Sequence, residues 1–276
     1  MNLSSNAIGR PSHPIPAASI AQETVPERMR WYNLALGVIH LAQAVLIIAL
    51  SNDFKLPIVG TYLTGPPGSE YSPPDLIWSV PVGYAVAVFL LLAAADHFLM
   101  AAPGIWPWYR DNLARQINYA RWLEYSVSAS LMMVLIAMVT GIRDVGAILA
   151  IFAANTAMIL FGLVMEMRNH ERGNRPVDWV PYICGCIVGI VPWIIVSIQV
   201  VGASDQPGSA GVPTFVYGII ISLFVLFNTF AINMILQYAK IGPWKNYLFG
   251  EKGYLVLSLT AKTLLAWQIF ANTLTN

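Results

Sequence analysis

The stretch Tyr254-Leu-Val-Leu-Ser-Leu-Thr-Ala-Lys262-Thr-Leu-Leu-Ala-Trp267 places one lysine inside a run that carries no other charge. In a helix that begins at Gly253, Lys262 lies about 14 Å along the axis, which is near the middle of a hydrocarbon core about 30 Å thick. A charged group at this depth is costly and therefore indicates a function. Three roles remain open: Lys262 could pair with a buried carboxylate to hold helices together, line a transport pathway, or supply an amine that forms a Schiff base with a carbonyl compound.

Six further apolar segments precede this one, so the chain is expected to cross a lipid bilayer seven times. Of the 276 residues, 57% are hydrophobic and 11% are charged, whereas a soluble globular domain carries roughly 25% charged residues. A spanning helix needs about 20 mainly apolar residues. The predicted spans cover approximately residues 31–50, 76–100, 119–142, 144–167, 178–201, 213–239 and 253–274. The pattern predicts an all-α, seven-transmembrane-helix bundle over residues 31–276, preceded by a polar segment, residues 1–30, that is not typical of a cleavable signal peptide.

The same sequence excludes several classes of protein. The 15 Lys and Arg residues nearly balance the 14 Asp and Glu residues, so there is no basic excess of the kind that indicates nucleic-acid binding. Cys184 and Cys186 lie in an apolar run, with a spacing that suits neither zinc nor a redox pair. No zinc-hydrolase histidine pattern, phosphate-binding glycine loop or nucleophile elbow is present in the sequence. We therefore expect neither a metal site nor an enzyme.

The distribution of Lys and Arg predicts the orientation of the bundle. The N-terminal segment and the second, fourth and sixth loops share one side of the membrane and hold Arg10, Arg28, Arg30, Arg110, Arg115, Arg168, Arg172, Arg175, Lys240, Lys245 and Lys252. The opposite side holds only Lys55 and Arg143. Because positively charged loops stay in the cytoplasm, the N-terminus is predicted to be cytoplasmic and the C-terminus extracellular, in a protein of the plasma membrane.

Glu124 is the carboxylate best placed to partner Lys262, because it opens a span that is otherwise free of charge. For Glu124 to reach the depth of Lys262, the third helix has to begin before Tyr119, near residues 113–115. Ser258 lies one helical turn before Lys262 and shares its face. The Ser258 hydroxyl is therefore expected to bond the same nitrogen.

The other polar groups within the predicted spans lie mostly in the cytoplasmic half. These groups are Asn33, His40, Gln43, Asp96, His97, Asn118, Arg121 and Glu166. Beyond Glu124 and Lys262, the outer halves of these helices have no carboxylate, Lys, Arg or His before the loops. A proton pump needs titratable groups on both sides of the site at which the proton switches. This one-sided distribution therefore argues against pumping.

Seven spans with a lysine in the middle of the last one resemble the arrangement of retinal proteins, and the motifs resemble those of the heliorhodopsins over essentially the whole chain. The most specific stretches are Arg121-Trp-Leu-Glu-Tyr-Ser-Val-Ser-Ala-Ser-Leu-Met-Met133 and Leu257-Ser-Leu-Thr-Ala-Lys262-Thr-Leu-Leu-Ala-Trp267. Ala95-Asp-His97, Phe227-Asn228 and Leu236-Gln-Tyr238 are similar as well. Heliorhodopsins have a cytoplasmic N-terminus, which agrees with the charge distribution. Ion-pumping rhodopsins usually carry a carboxylate where this chain has Leu135, and commonly an Asp where it has Ser258.

The resemblance implies a light-sensing protein that binds retinal, all-trans in the dark, as a protonated Schiff base on Lys262. Glu124 is then the sole counterion, and Ser258 is a hydrogen-bond partner of the linkage. The expected pocket walls are Tyr125, Ser128, Met132, Asn155, Met158, Trp193 and Phe227. The expected cytoplasmic polar cavity holds His40, His97, Tyr109, Asn118, Arg121 and Glu166.

The resemblance also implies a homodimer that is supported by the long first loop, residues 51–75. Within this loop, residues 54–63 are expected to form a short hairpin interrupted at Pro57. Signalling is expected through rearrangement on the cytoplasmic side, towards a partner that the sequence does not identify, without net ion pumping. The alternatives are a light-driven proton or ion transporter or channel, and a retinal-free receptor or enzyme with seven spans.

Overall fold

Seven long apolar helices form the bundle in a computed structural model that describes residues 24–170, 172–173, 175–207 and 211–273. The helices are α1 (Arg28–Leu50), α2 (Val82–Ala101), α3 (Trp106–Ala114), α4 (Tyr119–Val139), α5 (Val145–Asn169), α6 (Val180–Ser204), α7 (Thr214–Tyr238) and α8 (Tyr247–Thr273). Each of them except the short α3 is long and apolar enough to cross a membrane. The predicted seven-span bundle is therefore confirmed. Most of the predicted polar segment, residues 1–30, lies outside the described residues.

The helix starts follow local capping chemistry. The Asn118 side chain accepts a hydrogen bond from the backbone N–H of Arg121, and Asp144 does the same for Ala147. Such caps satisfy backbone donors that have no partner within the helix. In α6, Pro192 lies inside the helix, where a membrane bundle tolerates it because neighbouring groups can satisfy the freed backbone carbonyl.

A two-stranded antiparallel sheet corrects two expectations about the first loop. Strand β1 (Lys55–Gly60) pairs with β2 (Asp75–Pro81), so the hairpin extends well beyond residues 54–63. Pro57 lies within β1 opposite Ser79 and does not interrupt it, because both strands of a two-stranded sheet are edge strands and tolerate a proline. The second span therefore begins at Val82 rather than at residue 76. The sheet is tied to the bundle by the Val59 N–H, which donates to the Arg143 carbonyl at 2.8 Å.

Two other helix starts differ from prediction. The first span begins at Arg28, within the segment expected to be outside the membrane helices, and the last begins at Tyr247 rather than Gly253. The third span begins at Tyr119, as predicted for the span 119–142, so the earlier start near residues 113–115 that Glu124 was expected to require is wrong. Those residues belong to the end of α3 and the turn after it.

The two ends of the bundle differ in their packing. We call the end at which α1, α4, α6 and α8 begin the N-terminal end. The opposite half holds the main apolar core, in which Phe89, Met133, Ile136 and Leu265 are buried. Buried charged groups, among them Arg121, Glu166 and Glu251, lie towards the N-terminal end.

Candidate functional site

Lys262 and Glu124 form a buried ion pair between α8 and α4. The Lys262 Nζ lies 2.9 Å from both the Oε1 and the Oε2 of Glu124, and 3.1 Å from the Ser258 Oγ. The side chains of the pair are 4% and 7% exposed. The Nζ also lies 4.9 Å from the centre of the Tyr125 ring, a position in which the ring face attracts a cation.

The direction of helical side chains explains how Glu124 meets Lys262 although α4 begins only at Tyr119. The Cα–Cβ bonds of a helix tilt towards its N-terminus, so the long Lys262 side chain extends back to the level of Ser258. One turn earlier on α4, Arg121 reaches Glu251 of α8. The start of α4 thus lies level with the second turn of α8, and Glu124 comes opposite Ser258.

A cavity of about 420 Å³ extends from Lys262 between α4, α5, α6 and α7. Its lining includes six side chains expected to form the pocket walls, namely Tyr125, Ser128, Met132, Met158, Trp193 and Phe227, together with Ser258. Asn155 lies outside this lining, where its buried amide donates to the Ser130 Oγ at 3.1 Å. Six further aromatic lining residues were not expected from sequence: Trp122, Phe161, Tyr182, Phe224, Phe230 and Tyr254.

Aromatic rings set the shape of the cavity. Trp193 meets Phe224 and Phe227 edge to face, with ring centres 5.2 and 5.7 Å apart. Tyr125 meets Phe230 in the same way at 5.8 Å. Such contacts fix ring orientation, so the walls are rigid and apolar. The Ser128 Oγ is a buried polar atom in this wall, and it has no hydrogen-bond partner among the described residues.

A second charged cluster lies one helical turn closer to the N-terminal end. The Arg121 guanidinium forms ion pairs with both Glu166 of α5 and Glu251 of α8. Glu166 also accepts hydrogen bonds from the Trp122 indole at 2.7 Å and from the Asn118 backbone at 2.9 Å. The cluster therefore connects three helices through one arginine.

Glu251 is the one charged member of this cluster that sequence reasoning missed, because the last span was predicted to begin at Gly253. Gly250 and Gly253 both lie inside α8, where a Cβ would come within 2.8 Å of the Gln237 side chain at position 250 and 2.6 Å of Asn233 at position 253. The helical spacing could have identified Glu251, because it lies 11 residues before Lys262, which is close to three turns. Both residues therefore share one face of α8.

The remaining residues expected in the polar cavity lie between α1, α2 and α3. The rings of His40 and His97 stack at 5.6 Å, and the His97 Nδ1 lies 2.9 Å from the Asn33 Oδ1. Neither ring nitrogen of His40 has a hydrogen-bond partner in the part of the chain that the structure describes. Tyr109 lies between the two groups, because its hydroxyl contacts the Asn118 amide at 3.5 Å and lies beside Asn33. Burial raises the pKa of the Tyr109 phenol above its ordinary value, so it remains protonated.

Comparison with protein families gives a match over almost the entire bundle. The family model described as Heliorhodopsin matches residues 29–274. The chain belongs to the heliorhodopsin family. No curated protein sequence matches it.

Solved structures show the same fold as this heliorhodopsin-family chain. A light-driven proton pump, LR (Mac), from Leptosphaeria maculans aligns with a TM-score of 0.64 and 17% identity over 91% of this chain and 96% of the pump. The red light-activated channelrhodopsin Chrimson aligns with a TM-score of 0.59 and 13% identity over 99% of this chain and 88% of the channelrhodopsin. At these identities the likeness establishes the rhodopsin fold.

Family membership and the seven apolar helices make this chain an integral membrane protein of a bilayer. The heliorhodopsin family is a family of rhodopsins rather than of enzymes, and it implies a retinal chromophore.

Proposed function

We propose that the chain is a light-sensing retinal protein in which Lys262 binds retinal covalently and Glu124 is the sole counterion. One observation carries the proposal: a buried lysine with a single carboxylate partner opens onto an aromatic cavity of about 420 Å³. Small-molecule sites usually have volumes of about 300–1,000 Å³ and mostly apolar walls. The residues present therefore fit an elongated apolar chromophore that carries one carbonyl group.

Retinal, all-trans in the dark, would supply an aldehyde that joins Lys262 as a protonated Schiff base and a polyene that light isomerises. The chain supplies everything else. Glu124 holds the positive charge on the Lys262 nitrogen, and Ser258 fixes the direction of that nitrogen through its hydroxyl. Trp193, Phe224 and Phe227 close the cavity around an apolar ligand and exclude water.

The charge pair is the element that a photon would disturb. Two unit charges 4 Å apart interact by about 4 kcal/mol at an effective dielectric constant of 20. A change in the distance or protonation of the Lys262–Glu124 pair therefore alters the energy of the site by enough to shift a helix equilibrium. The Arg121 cluster and the His40–His97 pair lie on the N-terminal side of this pair, and we place the resulting rearrangement there.

We propose that this rearrangement signals on the cytoplasmic side, with the N-terminus inside the cell and without net ion pumping. Beyond Glu124 and Lys262, the described parts of α4 and α8 hold no carboxylate, Lys, Arg or His. A proton that left the nitrogen towards the outside would therefore meet an apolar core. A retinal-dependent photocurrent, or a light-induced pH change that a protonophore abolishes, would support the transporter or channel alternative instead.

The homodimer belongs to the same proposal. The extracellular sheet and its loop expose large apolar side chains, including Tyr62, Tyr71, Leu76 and Trp78, at 54–67%. Exposed apolar patches of this kind mark interaction sites. A second copy of the chain would bury them, and the signalling partner would bind on the opposite, cytoplasmic side of the membrane.

The absorption spectrum tests the proposal. The chain expressed with all-trans retinal should show a visible band that hydroxylamine bleaches under light. Lys262→Ala should remain colourless, because the covalent bond cannot form, whereas the control Lys252→Ala, which changes a lysine nearly three turns earlier on α8, should retain the band. A pigment that survives Lys262→Ala would contradict the proposal.

A further inference from the structure

A small recess opens at the N-terminal end of the bundle, where α5 and α7 leave the membrane. It has a volume of about 30 Å³ and is lined by Gln116, Asn169, Arg172, Gln237, Tyr238, Lys240, Trp244, Lys245 and Tyr247. The volume is close to that of one water molecule in the liquid. Only a single hydroxyl or oxygen atom of a ligand can enter, and the rest of the ligand must lie at the mouth.

The mouth of the recess is positively charged. Arg172, Lys240 and Lys245 line it, and no carboxylate does among the described residues. The Arg172 guanidinium donates to the backbone carbonyls of Arg175 and Tyr238, both at 3.4 Å, so its charge is not neutralised by an acid in these contacts. Within the described ranges, neither lysine forms an ion pair. Three cations around one opening favour an anion.

Gln237 also lines the recess and carries a neutral acceptor. The residue is 7% exposed, and its Nε2 donates to the Tyr247 carbonyl at 3.2 Å. The amide cannot face the other way, because its oxygen would then oppose the carbonyl oxygen. The Gln237 Oε1 is left buried with no hydrogen-bond partner in the described part of the chain. Leaving a buried acceptor unpaired is costly. A ligand group that donates a hydrogen bond to this oxygen, such as a hydroxyl group, would therefore be favoured.

Backbone strain is concentrated at the same place. Gln116 and Lys240, with φ of 63° and 54°, are the two non-glycine residues with positive φ in the described chain, and both line the recess. Residues other than glycine rarely adopt this conformation, and such strain clusters at ligand sites and switch regions. Tyr238 and Trp244 add the aromatic residues that are typical of the membrane–water interface.

We propose that this recess binds a phosphate ester that carries a free hydroxyl group, as in the headgroup of phosphatidylglycerol or in soluble glycerol phosphate. The phosphate would lie among Arg172, Lys240 and Lys245, and the hydroxyl would enter the recess and donate to the Gln237 Oε1. The site is separate from the cavity at Lys262, so the proposal does not depend on the retinal assignment.

A titration with short-chain phosphatidylglycerol tests the charged part of the site. The purified protein in neutral detergent should gain thermal stability saturably with dihexanoyl phosphatidylglycerol, and less with dihexanoyl phosphatidylcholine. Lys240→Gln with Lys245→Gln should weaken binding of the anionic lipid about 10- to 30-fold, because each lysine near a membrane surface contributes about 1 kcal/mol. The control Arg28→Gln with Arg110→Gln removes two exposed cations from the same end and should leave the affinity nearly unchanged. Equal losses in both double variants would mean diffuse attraction and would overturn the proposal.

A second comparison tests the hydroxyl group. Gln237→Met should lower the affinity for phosphatidylglycerol about 2- to 10-fold, the value of one hydrogen bond, and leave the affinity for phosphatidylmethanol unchanged. An unaltered preference for phosphatidylglycerol in this variant would overturn the assignment of Gln237. Displacement of the lipid by millimolar glycerol phosphate would identify a soluble ligand, and failure of displacement would identify the lipid, both within the proposed chemistry.

Discussion

Two buried charge clusters lie one helical turn apart on α4, and both reach α8, yet their surroundings differ. Lys262 faces one carboxylate and a cavity of about 420 Å³. Arg121 lies between two carboxylates, with the Tyr254 ring 3.9 Å and the Trp122 ring 4.6 Å from its guanidinium carbon. One cation has free volume beside it, and the other is packed between aromatic rings and acids.

The difference distinguishes a reactive group, Lys262, from a group that holds helices together, the Arg121 cluster, which we call the anchor. A lysine can lose its proton and act as a nucleophile, whereas an arginine remains charged and holds carboxylates in a fixed geometry. The Arg121 cluster joins α4, α5 and α8, so it fixes the helix start from which Glu124 projects. We infer that the anchor keeps Glu124, a single carboxylate, in place beside Lys262.

Removal of the anchor should have the largest effect on stability. Arg121→Gln leaves Glu166 and Glu251 buried together without a cation, and breaking a buried ion pair in this way costs about 3–5 kcal/mol. Thermal unfolding in detergent should show a clear loss. Arg110→Gln is the matched control, because Arg110 pairs with Asp111 at the exposed surface, where an ion pair contributes about 0–1 kcal/mol. Similar losses in the two variants would contradict the anchoring role.

A smaller loss of stability is expected from crowding Trp122, whose indole donates a hydrogen bond to Glu166 of the Arg121 cluster. In Gly162→Ala the new Cβ would lie 2.2 Å from the Trp122 ring, which donates to Glu166. Overpacking of this kind costs about 1–3 kcal/mol.

Gly218→Ala serves as the control for Gly162→Ala, since a Cβ at position 218 of α7 meets nothing within 4 Å. The free energy of unfolding of this control should stay unchanged or rise slightly. A Gly162→Ala variant as stable as the Gly218→Ala variant would show that Trp122 can move freely.

The smallest change in stability is expected from substitutions at two serines of α4. Ser130 bonds Asn155 and Thr156, so Ser130→Ala should cost about 0.5–1.5 kcal/mol for each lost hydrogen bond. Ser128 has no partner among the described residues, so Ser128→Ala should leave stability unchanged and shift the absorption band slightly. A loss of stability in the Ser128 variant equal to that of Ser130→Ala would contradict this, because it would show that the Ser128 hydroxyl makes a stabilising contact.

The sequence was sufficient to predict seven spans and the residues around Lys262, because hydropathy sets helix number and helical spacing places Ser258 on the same face as Lys262. It was insufficient at residues 76–81, where Leu-Ile-Trp-Ser-Val-Pro is apolar enough for a span but forms strand β2. Short apolar runs do not distinguish a strand from a helix. Only the pairing with β1 decides the outcome.

The start of the last span was the second source of error. The span was predicted to begin at Gly253, and this placed Glu251 outside the membrane. In the structure Gly250 and Gly253 lie inside α8 and allow it to approach the Gln237 and Asn233 side chains of α7. A single sequence does not distinguish a glycine needed for a turn from one needed for close packing, so the carboxylate between them was missed.

The most direct test of the account is a pair of absorption spectra with all-trans retinal bound. Glu124→Gln should shift the visible band strongly to the red, because the positive charge loses its one stabilising partner. Glu251→Gln, which neutralises the carboxylate of the anchor, should shift it little. An unshifted band in Glu124→Gln, or an equal shift in both variants, would contradict the assignment of Glu124 as sole counterion.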